Sequence, residues 1–174
     1  MKLPESLRLS FRCWSEEDFP LAMSLWTDPD VMRYMGGPMD EDGVRARLKV
    51  EMDRQARLGV QYWPIFLRES GDFAGCAGLR PFHDEERVWE VGVHIRRSYW
   101  SGRLGEEAAR AVIAYGFGEL GARALTAGHG PGHANSKAMI ERLGFVFTHE
   151  EPWGAKGILH PFYRMERPGF GVRV

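Results

Sequence analysis

The stretch at residues 99–108, "YWSGRLGEEA", places two glycines and an arginine directly before a strongly helical segment. The N-terminus of a helix presents unpaired backbone N–H groups and a partial positive charge, and both favour a bound anion. Gly102 and Gly105 would let the backbone approach a phosphate closely, and Arg103 would add a positive charge. These residue types at this spacing would suit a phosphate-binding loop. Two glycines alone, however, favour the alternative, a glycine turn that only starts an amphipathic helix.

Two common phosphate-binding motifs do not describe this loop. The sequence has no Gly-Lys-Ser or Gly-Lys-Thr, which excludes a nucleoside-triphosphate P-loop. The loop follows a run of strands and carries no Gly-x-Gly-x-x-Gly, so a dinucleotide-binding fold is not expected. His129 and His133 are four residues apart, but zinc takes three or four ligands and no further ligands cluster near them in the sequence. No metal site is predicted.

The elements around the loop predict an α+β fold. Polar turns, "ESGD" and "HDEE", separate three β-rich runs ahead of the loop, which is typical of an antiparallel meander. A strand-helix-strand-helix-strand half follows, so we expect a single mixed, mainly antiparallel sheet flanked by helices, in one domain over residues 1–174. The predicted strands are residues 7–14, 60–68, 72–82, 87–95, 124–127, 145–150 and 160–167. A first helix is predicted to begin after Ser15. Three further helices are predicted at residues 40–59, 106–120 and 135–143.

Charge and composition argue against several classes of partner. The chain has 23 Lys and Arg residues against 24 Asp and Glu residues, whereas nucleic acids and anionic membranes attract a clustered positive excess. The N-terminal "MKLPESLRLSFR" lacks the apolar core of a secretory signal, and no apolar run approaches the ~20 residues that span a bilayer. Cys13 and Cys76 lie far apart in sequence, which favours free thiols. We therefore expect a cytoplasmic protein.

Four stretches resemble the GNAT superfamily of acetyl-CoA-dependent N-acetyltransferases, and within it the Rim type that acetylates ribosomal-protein N-termini and related amines. They are "LRLSFRCWSEEDFPLAMSLWTDPDVMRYMG", "WEVGVHIRRSYWSGRLGEEA", "HANSKAMIERLGFVF" and "FYRMER". The last two are generic alone, and the order and spacing of all four make the match specific. The resemblance covers about residues 7–167.

The resemblance implies that acetyl-CoA is the co-substrate and that the glycine loop holds its pyrophosphate. It also implies that the pantetheine arm follows the backbone of residues 90–95, where two strands of the family's sheet splay apart. The acceptor would be a primary amine, on a protein N-terminus or a small molecule, and a homodimer is left open. The implied cofactor-binding residues are Val93, His94, Ile95, Trp100, Gly102, Arg103, Leu104, Gly105, Glu106, His133 and Asn135.

The chain departs from the family's pattern in both cofactor motifs. The family loop reads Arg/Gln-x-x-Gly-x-Gly/Ala, but here Trp100 stands at its first position and Arg103 at its middle glycine, with Gly102 one residue early. On the second helix, His133 stands where the family has an asparagine, and Asn135 lies two residues on. These departures bear on single contacts rather than on the overall match.

The resemblance also implies two catalytic residues. Glu90 matches a glutamate that the family carries in this strand, and it would remove the amine proton directly or through water. Its alternative is a structural carboxylate paired with an arginine or with backbone. Ser136 matches the family's serine near the sulfur, with a first-turn or capping role as its alternative. The tyrosine that many relatives use as the proton donor is absent from this helix, and although Tyr163 could substitute, the general acid stays open.

Two other functions remain alternatives: an acyl-CoA-binding module without catalysis, and a scaffold domain that binds no cofactor. The acceptor is open as well. Acidic residues early in the chain suit a cationic amine, although helix capping explains them equally; they are Asp28, Asp30, Asp40, Glu41 and Asp42. Aromatic residues that could line an acceptor pocket, or lie in the core, are Trp26, Tyr34, Trp63, Trp100 and Trp153.

Overall fold

The computed structural model describes residues 2–154 and 157–168. In this part of the chain the strands are β1 (Leu9–Phe11), β2 (Tyr62–Leu67), β3 (Phe73–Pro81), β4 (Val88–Ile95), β5 (Ala124–Gly128), β6 (Val146–Trp153) and β7 (Ile158–Glu166). The α-helices are α1 (Phe19–Trp26), α2 (Pro29–Met32), α3 (Glu41–Leu58), α4 (Leu104–Gly118) and α5 (Ala134–Leu143), with short 3₁₀ turns at Glu16–Asp18 and Arg97–Tyr99. None of the described helices has the length and apolar character needed to cross a membrane.

The strands form one sheet in the order β1-β2-β3-β4-β5-β7-β6. Every neighbouring pair is antiparallel except β4 and β5, which are parallel. Parallel neighbours need a long crossover connection, and α4 supplies it. The mixed, mainly antiparallel sheet flanked by helices that the sequence predicts is thereby confirmed.

The parallel pairing between β4 and β5 is short. Residues 88–90 of β4 pair with residues 124–126 of β5, and the pairing stops there. On its other edge, β4 stays paired with β3 as far as Ile95. The second half of β4 therefore has an open edge where β5 has turned away.

The two faces of the sheet carry different cores, which we call the α4 face and the α3 face. Side chains alternate between faces along a strand. On the α4 face, strand residues pack under α4, among them Trp63, Ile65, Ala77, Leu79 and Val91. On the α3 face, strand residues and α3 enclose a second cluster that includes Trp14, Trp26, Val44, Leu48, Tyr62 and Cys76. Within β4 the odd-numbered residues therefore belong to the α4 face, and Glu90, Gly92 and His94 belong to the α3 face.

Helix α3 buries a carboxylate as well as apolar residues. Val44, Leu48, Met52 and Ala56 recur every four residues, a spacing that predicts one buried face; Val44 and Leu48 are buried, whereas Met52 is half-buried and Ala56 is exposed. The position that completes the buried stripe is Glu51, which has no exposed surface. Spacings of four and three residues place it on the same side as the two apolar residues.

Most of the acidic residues early in the chain cap helices or form ion pairs. An Asp28 oxygen accepts hydrogen bonds from the N–H groups of two residues at the start of α2, at 2.8 and 3.3 Å. Asp40 accepts from Gly43 N at 2.8 Å at the start of α3. Asp30 pairs with Arg97, and Glu41 with Arg45. Helix capping, one of the two explanations that the sequence allows, thus accounts for Asp28 and Asp40.

Several predicted boundaries differ from the observed ones. Strand β1 begins at Leu9 rather than at residue 7, because Leu7 is 87% exposed and pairs with no strand. Helix α5 begins at Ala134, one residue early, because His133 caps it. The last hairpin is longer than predicted: β6 runs to Trp153, and β7 begins at Ile158.

Candidate active site

A cavity of about 730 Å³ opens where β4 and β5 separate. It reaches both faces of the sheet. Its lining on the α4 side includes Val93, Ile95, Gly105 and Ser136, and its lining on the α3 side includes Arg47, Tyr62, Arg80, Glu90 and His94. Pockets with apolar walls and a few converging polar groups are the usual sites of ligand binding.

Backbone groups of β4 face this cavity without a strand partner. Arg96 N donates to Ala74 O of the β3 side at 2.9 Å, and backbone groups alternate in direction along a strand. The N–H and C=O groups of Val93 and Ile95 therefore point away from β3, towards the open edge. The carbonyl of Ile95 accepts a hydrogen bond from Trp100 Nε1 at 2.8 Å, which confirms the direction. The edge near Val93 is free to pair with an extended ligand.

The glycine loop adopts a left-handed backbone at two successive residues, Gly102 (φ 88°) and Arg103 (φ 57°). Glycine takes this conformation without penalty, whereas an arginine loses of order 1–2 kcal/mol by it. The loop thus keeps its tight turn although a side chain stands at the middle position. Gly102 O also accepts a hydrogen bond from Arg8 Nη2 at 2.9 Å, which ties the loop to the N-terminal segment.

Helix α4 starts directly after this turn, and Gly105 and Glu106 of its first turn line the cavity. The first N–H groups of any α-helix have no partner within the helix. A Cβ built on Gly105 would lie 3.4 Å from Ile95 Cγ1 and 3.7 Å from Val93 Cγ1, so the first turn faces the open edge of β4. Arg103 lines the cavity, and its side chain forms no hydrogen bond or ion pair with the described residues. The N-terminus of α4 and the Arg103 side chain together form a positively charged surface beside the unpaired edge of β4.

The carboxylate of Glu106 ties the two helices at the cavity together. It accepts from Arg110 Nη2 at 2.9 Å and from Arg142 Nε of α5 at 3.1 Å. The hydrogen bond from Arg110 is the largest cause of a lowered pKa for Glu106; burial opposes it, and the hydrogen bond from Arg142 lowers the pKa further. Because both arginines already bind the Glu106 carboxylate, the backbone N–H is the group of Glu106 that is available to a ligand.

The start of α5 forms another wall of the cavity. His133 caps the helix, because its Nδ1 accepts a hydrogen bond from Ser136 N at 3.4 Å. The His133 ring also stacks on the Tyr34 ring, with the two centroids 4.2 Å apart. Burial, and then the charge of His129, lower the pKa of His133. Ser136 is thus a third-position residue of the helix rather than its cap. Its hydroxyl forms no hydrogen bond with the residues that the structure describes.

Glu90 is paired with an arginine across the strands. Arg80, directly opposite on β3, donates to Glu90 Oε2 from Nε at 2.9 Å and from Nη2 at 2.6 Å. The Glu90 side chain is 13% exposed. Its other oxygen, Oε1, has no partner among the described residues, so one acceptor atom remains open to a ligand.

A second arginine, Arg47 of α3, reaches the same side of the cavity. Its Nε donates to the buried Glu51 at 2.7 Å, and Arg54 also pairs with Glu51 at 2.6 Å. The Arg47 guanidinium lies 5.4 Å from the ring of Trp26 and 5.3 Å from that of Tyr62. These contacts hold the side chain while its two terminal nitrogens stay unpaired within the described part of the chain.

His94 stands between these charges as a neutral ring. Trp26 Nε1 lies 3.2 Å from His94 Nδ1. Because an indole N–H only donates, Nδ1 accepts and the ring proton lies on Nε2. Burial, and then the charges of Arg47 and Arg80, lower the pKa of His94 to about 3. The ring is thus a hydrogen-bond donor at Nε2 across the physiological pH range.

Eleven of the thirteen site residues expected from the sequence line the cavity, which are Glu90, Val93, His94, Ile95, Trp100, Arg103, Gly105, Glu106, His133, Asn135 and Ser136. Gly102 and Leu104 do not line it, and the Leu104 side chain packs in the core under α4. The His94 side chain points to the α3 face, so only its backbone runs along the expected cofactor path. Tyr163 does not line the cavity either; its hydroxyl lies 3.4 Å from His129 Nε2.

Sequence reasoning missed Arg47, Tyr62 and Arg80. Arg80 carried a signal, because it is a charged residue within an otherwise apolar strand and falls in alternation with Cys76 and Gly78. Arg47 carried little signal, since an arginine four residues before a glutamate on a polar helix is usually a solvated pair. Of the aromatic candidates, Tyr34, Trp100 and Trp153 line the cavity, whereas Trp26 and Trp63 are fully buried.

Comparisons with known proteins agree with this architecture. The family described as "Acetyltransferase (GNAT) domain" matches residues 8–146. A Bacillus subtilis (strain 168) relative, "Uncharacterized protein YkkB", is 30% identical over 143 residues, which are 81% of this chain and 83% of that protein.

Two solved structures have the same fold. The acetyltransferase (GNAT family) from Bacillus anthracis superposes with a TM-score of 0.80 at 20% identity, over 95% of this chain and 98% of that one. RimL, the ribosomal L7/L12 alpha-N-protein acetyltransferase in complex with coenzyme A, superposes with a TM-score of 0.77 at 13% identity. The superposition covers 94% of this chain and 96% of that one.

The buried neutral His94 makes stability depend on pH. The pKa of His94 in the folded protein lies below its pKa in the unfolded chain. Its contribution to the free energy of unfolding is therefore complete above pH 6.5 and is lost as the pH falls towards 3. Between pH 7 and pH 5 this loss is about 2 kcal/mol. His94→Asn keeps an acceptor for Trp26 but does not titrate, so its free energy of unfolding in urea should fall by about 2 kcal/mol less over this range. Burial also lowers the pKa values of His133 and of His160, a buried histidine of β7, but both residues are present in the two proteins and cancel in the comparison. Equal pH dependence in the two proteins would contradict the assignment.

Proposed function

This chain belongs to the GNAT acetyltransferase family, whose members take an acyl group from acyl-CoA, and we propose that it transfers the acetyl group of acetyl-CoA to a primary amine. The acceptor amine would be on a protein N-terminus or on a small molecule. One observation carries the proposal: the open edge of β4, the N-terminus of α4 and the free oxygen of Glu90 meet in one cavity.

The residues present fit coenzyme A on the α4 side of the cavity. Backbone N–H groups at the start of α4 and the unpaired Arg103 suit a pyrophosphate, because helix N-termini and guanidinium groups bind phosphate oxygens. The C=O of Val93 and the N–H of Ile95, which point to the open edge of β4, suit the amides of a pantetheine arm. Acetyl-CoA would supply the thioester carbonyl that the amine attacks.

The α3 side of the cavity supplies the groups for proton transfer. We assign Glu90 as the general base, with Oε1 accepting the amine proton directly or through water. The Val93 N–H donates to the carbonyl oxygen as negative charge develops on it, which is the role of an oxyanion hole. We assign Ser136, whose hydroxyl is uncommitted among the described residues, as a hydrogen-bond donor to the departing sulfur.

A cofactor-binding module without turnover is the second candidate. The ion pair between Glu90 and Arg80 favours it, because a carboxylate held by an arginine also serves a structural role. So does the helix α5 segment of Ala138, Met139 and Ile140, which holds no tyrosine. Turnover measurements separate the two candidates.

We also propose the cytoplasm as the location. The two cysteines of the chain, Cys13 and Cys76, are both free thiols. Unpaired thiols are typical of proteins in a reducing compartment.

Gly105→Glu tests the position of the cofactor. A glutamate there would project towards Val93 and Ile95, and it would place a negative charge where the pyrophosphate should lie. Coenzyme A should raise the melting temperature of the wild-type protein, and the variant should lose most of that rise.

Gly118→Glu, at the other end of α4 in open space, is the matched control and should keep the rise. A folded Gly105→Glu protein with wild-type affinity for coenzyme A would place the cofactor elsewhere.

Glu90→Gln tests the base. The amide keeps the shape of the side chain but takes no proton, so kcat should fall by about 10²–10⁴ while affinity for acetyl-CoA barely changes. Glu85→Gln is the control, because Glu85 also pairs with arginines but does not line the cavity.

Rates are measured with acetyl-CoA across peptide N-termini and small amines. A Glu90→Gln protein with near-normal kcat would give Glu90 a structural role. Binding of acetyl-CoA without turnover in the wild type would favour the second candidate.

A further inference from the structure

The α3 side of the cavity is built mainly from hydrogen-bond donors. Arg47 uses one nitrogen on Glu51, and Arg80 uses two nitrogens on a single oxygen of Glu90. An arginine has five N–H donors, so both guanidinium groups keep donors that no described residue accepts. His94 adds its Nε2–H on the same side.

These free donors face the cavity rather than the protein interior. Among the described residues, the fully buried side-chain nitrogen and oxygen atoms without a partner belong to Trp89 and Thr126. The free guanidinium nitrogens of Arg47 and Arg80 are therefore open to the cavity. The two side chains are only 22% and 30% exposed, so an anion bound there would be screened little by solvent.

The charges of this cluster do not balance. It contains three guanidinium groups, of Arg47, Arg54 and Arg80, and two carboxylates, of Glu51 and Glu90. One positive charge is left over in a partly desolvated site, where an unbalanced charge is costly. A singly charged anion would balance it, whereas a polyamine or another cationic acceptor would add to the excess.

The two arginines share one subsite. Both line the cavity together with His94, and both charges, after burial, lower the pKa of that ring. The Arg47 guanidinium lies 5.3 Å from the Tyr62 ring centroid, and the same ring lies over Gly92, where a Cβ would meet it at 2.2 Å. Because Gly92 has no side chain, the Tyr62 ring fits over β4 between Glu90 and His94.

We propose that the acceptor carries a carboxylate beside its amine, and that Arg47 and Arg80 bind this carboxylate while the amine reaches Glu90 Oε1. This proposal rests on the proposed acetyl transfer. The acceptor therefore carries a carboxylate near its amine, as a small amino acid does, and is a single anion once its amine is deprotonated; it is not a polyamine or an uncharged amine. Arg47 is the specificity-determining residue, because Arg80 is also committed to Glu90.

Matched acceptor pairs test the class of acceptor. The probes are the L-amino acids and their primary amides, assayed for acetyl-CoA turnover. Removing the carboxylate lowers the pKa of the amine and so raises the free-base fraction, which means that a preference for the acid cannot come from reactivity. At least one amino acid should be used about 10–100-fold better than its amide, the usual value of hydrogen bonds to a charged group. Equal or better use of the amides would overturn the proposal.

Arg47→Gln tests the residue, with Arg54→Gln as the matched control. Both changes remove one ion-pair partner from Glu51, but only Arg47 lines the cavity. Arg47→Gln should raise KM for the amino acid about 10–100-fold with kcat little changed, whereas Arg54→Gln should leave KM within about threefold. Equal effects of the two changes would overturn the proposal. If Arg47→Gln does not fold, Arg47→Lys, which keeps the charge but not the planar fork, takes its place.

Calorimetry separates this proposal from the proposed transfer. The same amino acids and amides are titrated into the protein saturated with coenzyme A. Binding of acids that depends on Arg47, without turnover, would uphold the carboxylate site and contradict acetyl transfer. Turnover of the amides that equals or exceeds that of the acids, or no binding of any acid, would contradict the carboxylate site. A C-terminally amidated peptide that begins with an acidic residue distinguishes a side-chain carboxylate from that of a free amino acid, and use of either source upholds the site.

Discussion

The end of the β4–β5 pairing at Glu90 is the constraint on which the site depends. Up to that point the two strands satisfy each other's backbone groups, and beyond it the edge of β4 has donors and acceptors without a strand partner. An unpaired sheet edge normally attracts another strand. Here the first turn of α4 and the start of α5 stand over the gap, so the edge opens into a cavity that admits a narrow ligand.

The sheet also separates the two halves of the proposed reaction. The α4 face offers N–H groups of a helix start and the unpaired Arg103, which suit a cofactor rich in phosphate. The α3 face carries Glu90, which is paired with Arg80, together with Arg47 and the neutral ring of His94 in the same cavity. Since alternate residues of β4 face opposite sides, a single strand presents backbone to one substrate and side chains to the other.

Much of this arrangement follows from sequence patterns. The alternation of apolar residues predicts the strands, and the glycines of residues 102–105 predict a turn before α4, for which the family resemblance implies a pyrophosphate. The left-handed backbone of Arg103 was not predictable, because nothing local requires an arginine to adopt a glycine conformation. The roles of Arg47 and Arg80 were not predictable either. Each becomes part of the site only when α3 packs over the sheet, a contact between segments far apart in sequence.

Hydrogen exchange at the amide of Val93 tests the central claim most directly. Val93 N–H points to the open edge, whereas the neighbouring His94 N–H points to β3 and is already paired. Saturating acetyl-CoA, without an acceptor, should slow exchange at Val93 by at least about tenfold, since the hydrogen bond to the thioester carbonyl protects the amide, and should change His94 much less. If Val93 exchanges at the same rate with and without acetyl-CoA, or if both amides slow equally, the open edge of β4 is not where the cofactor binds.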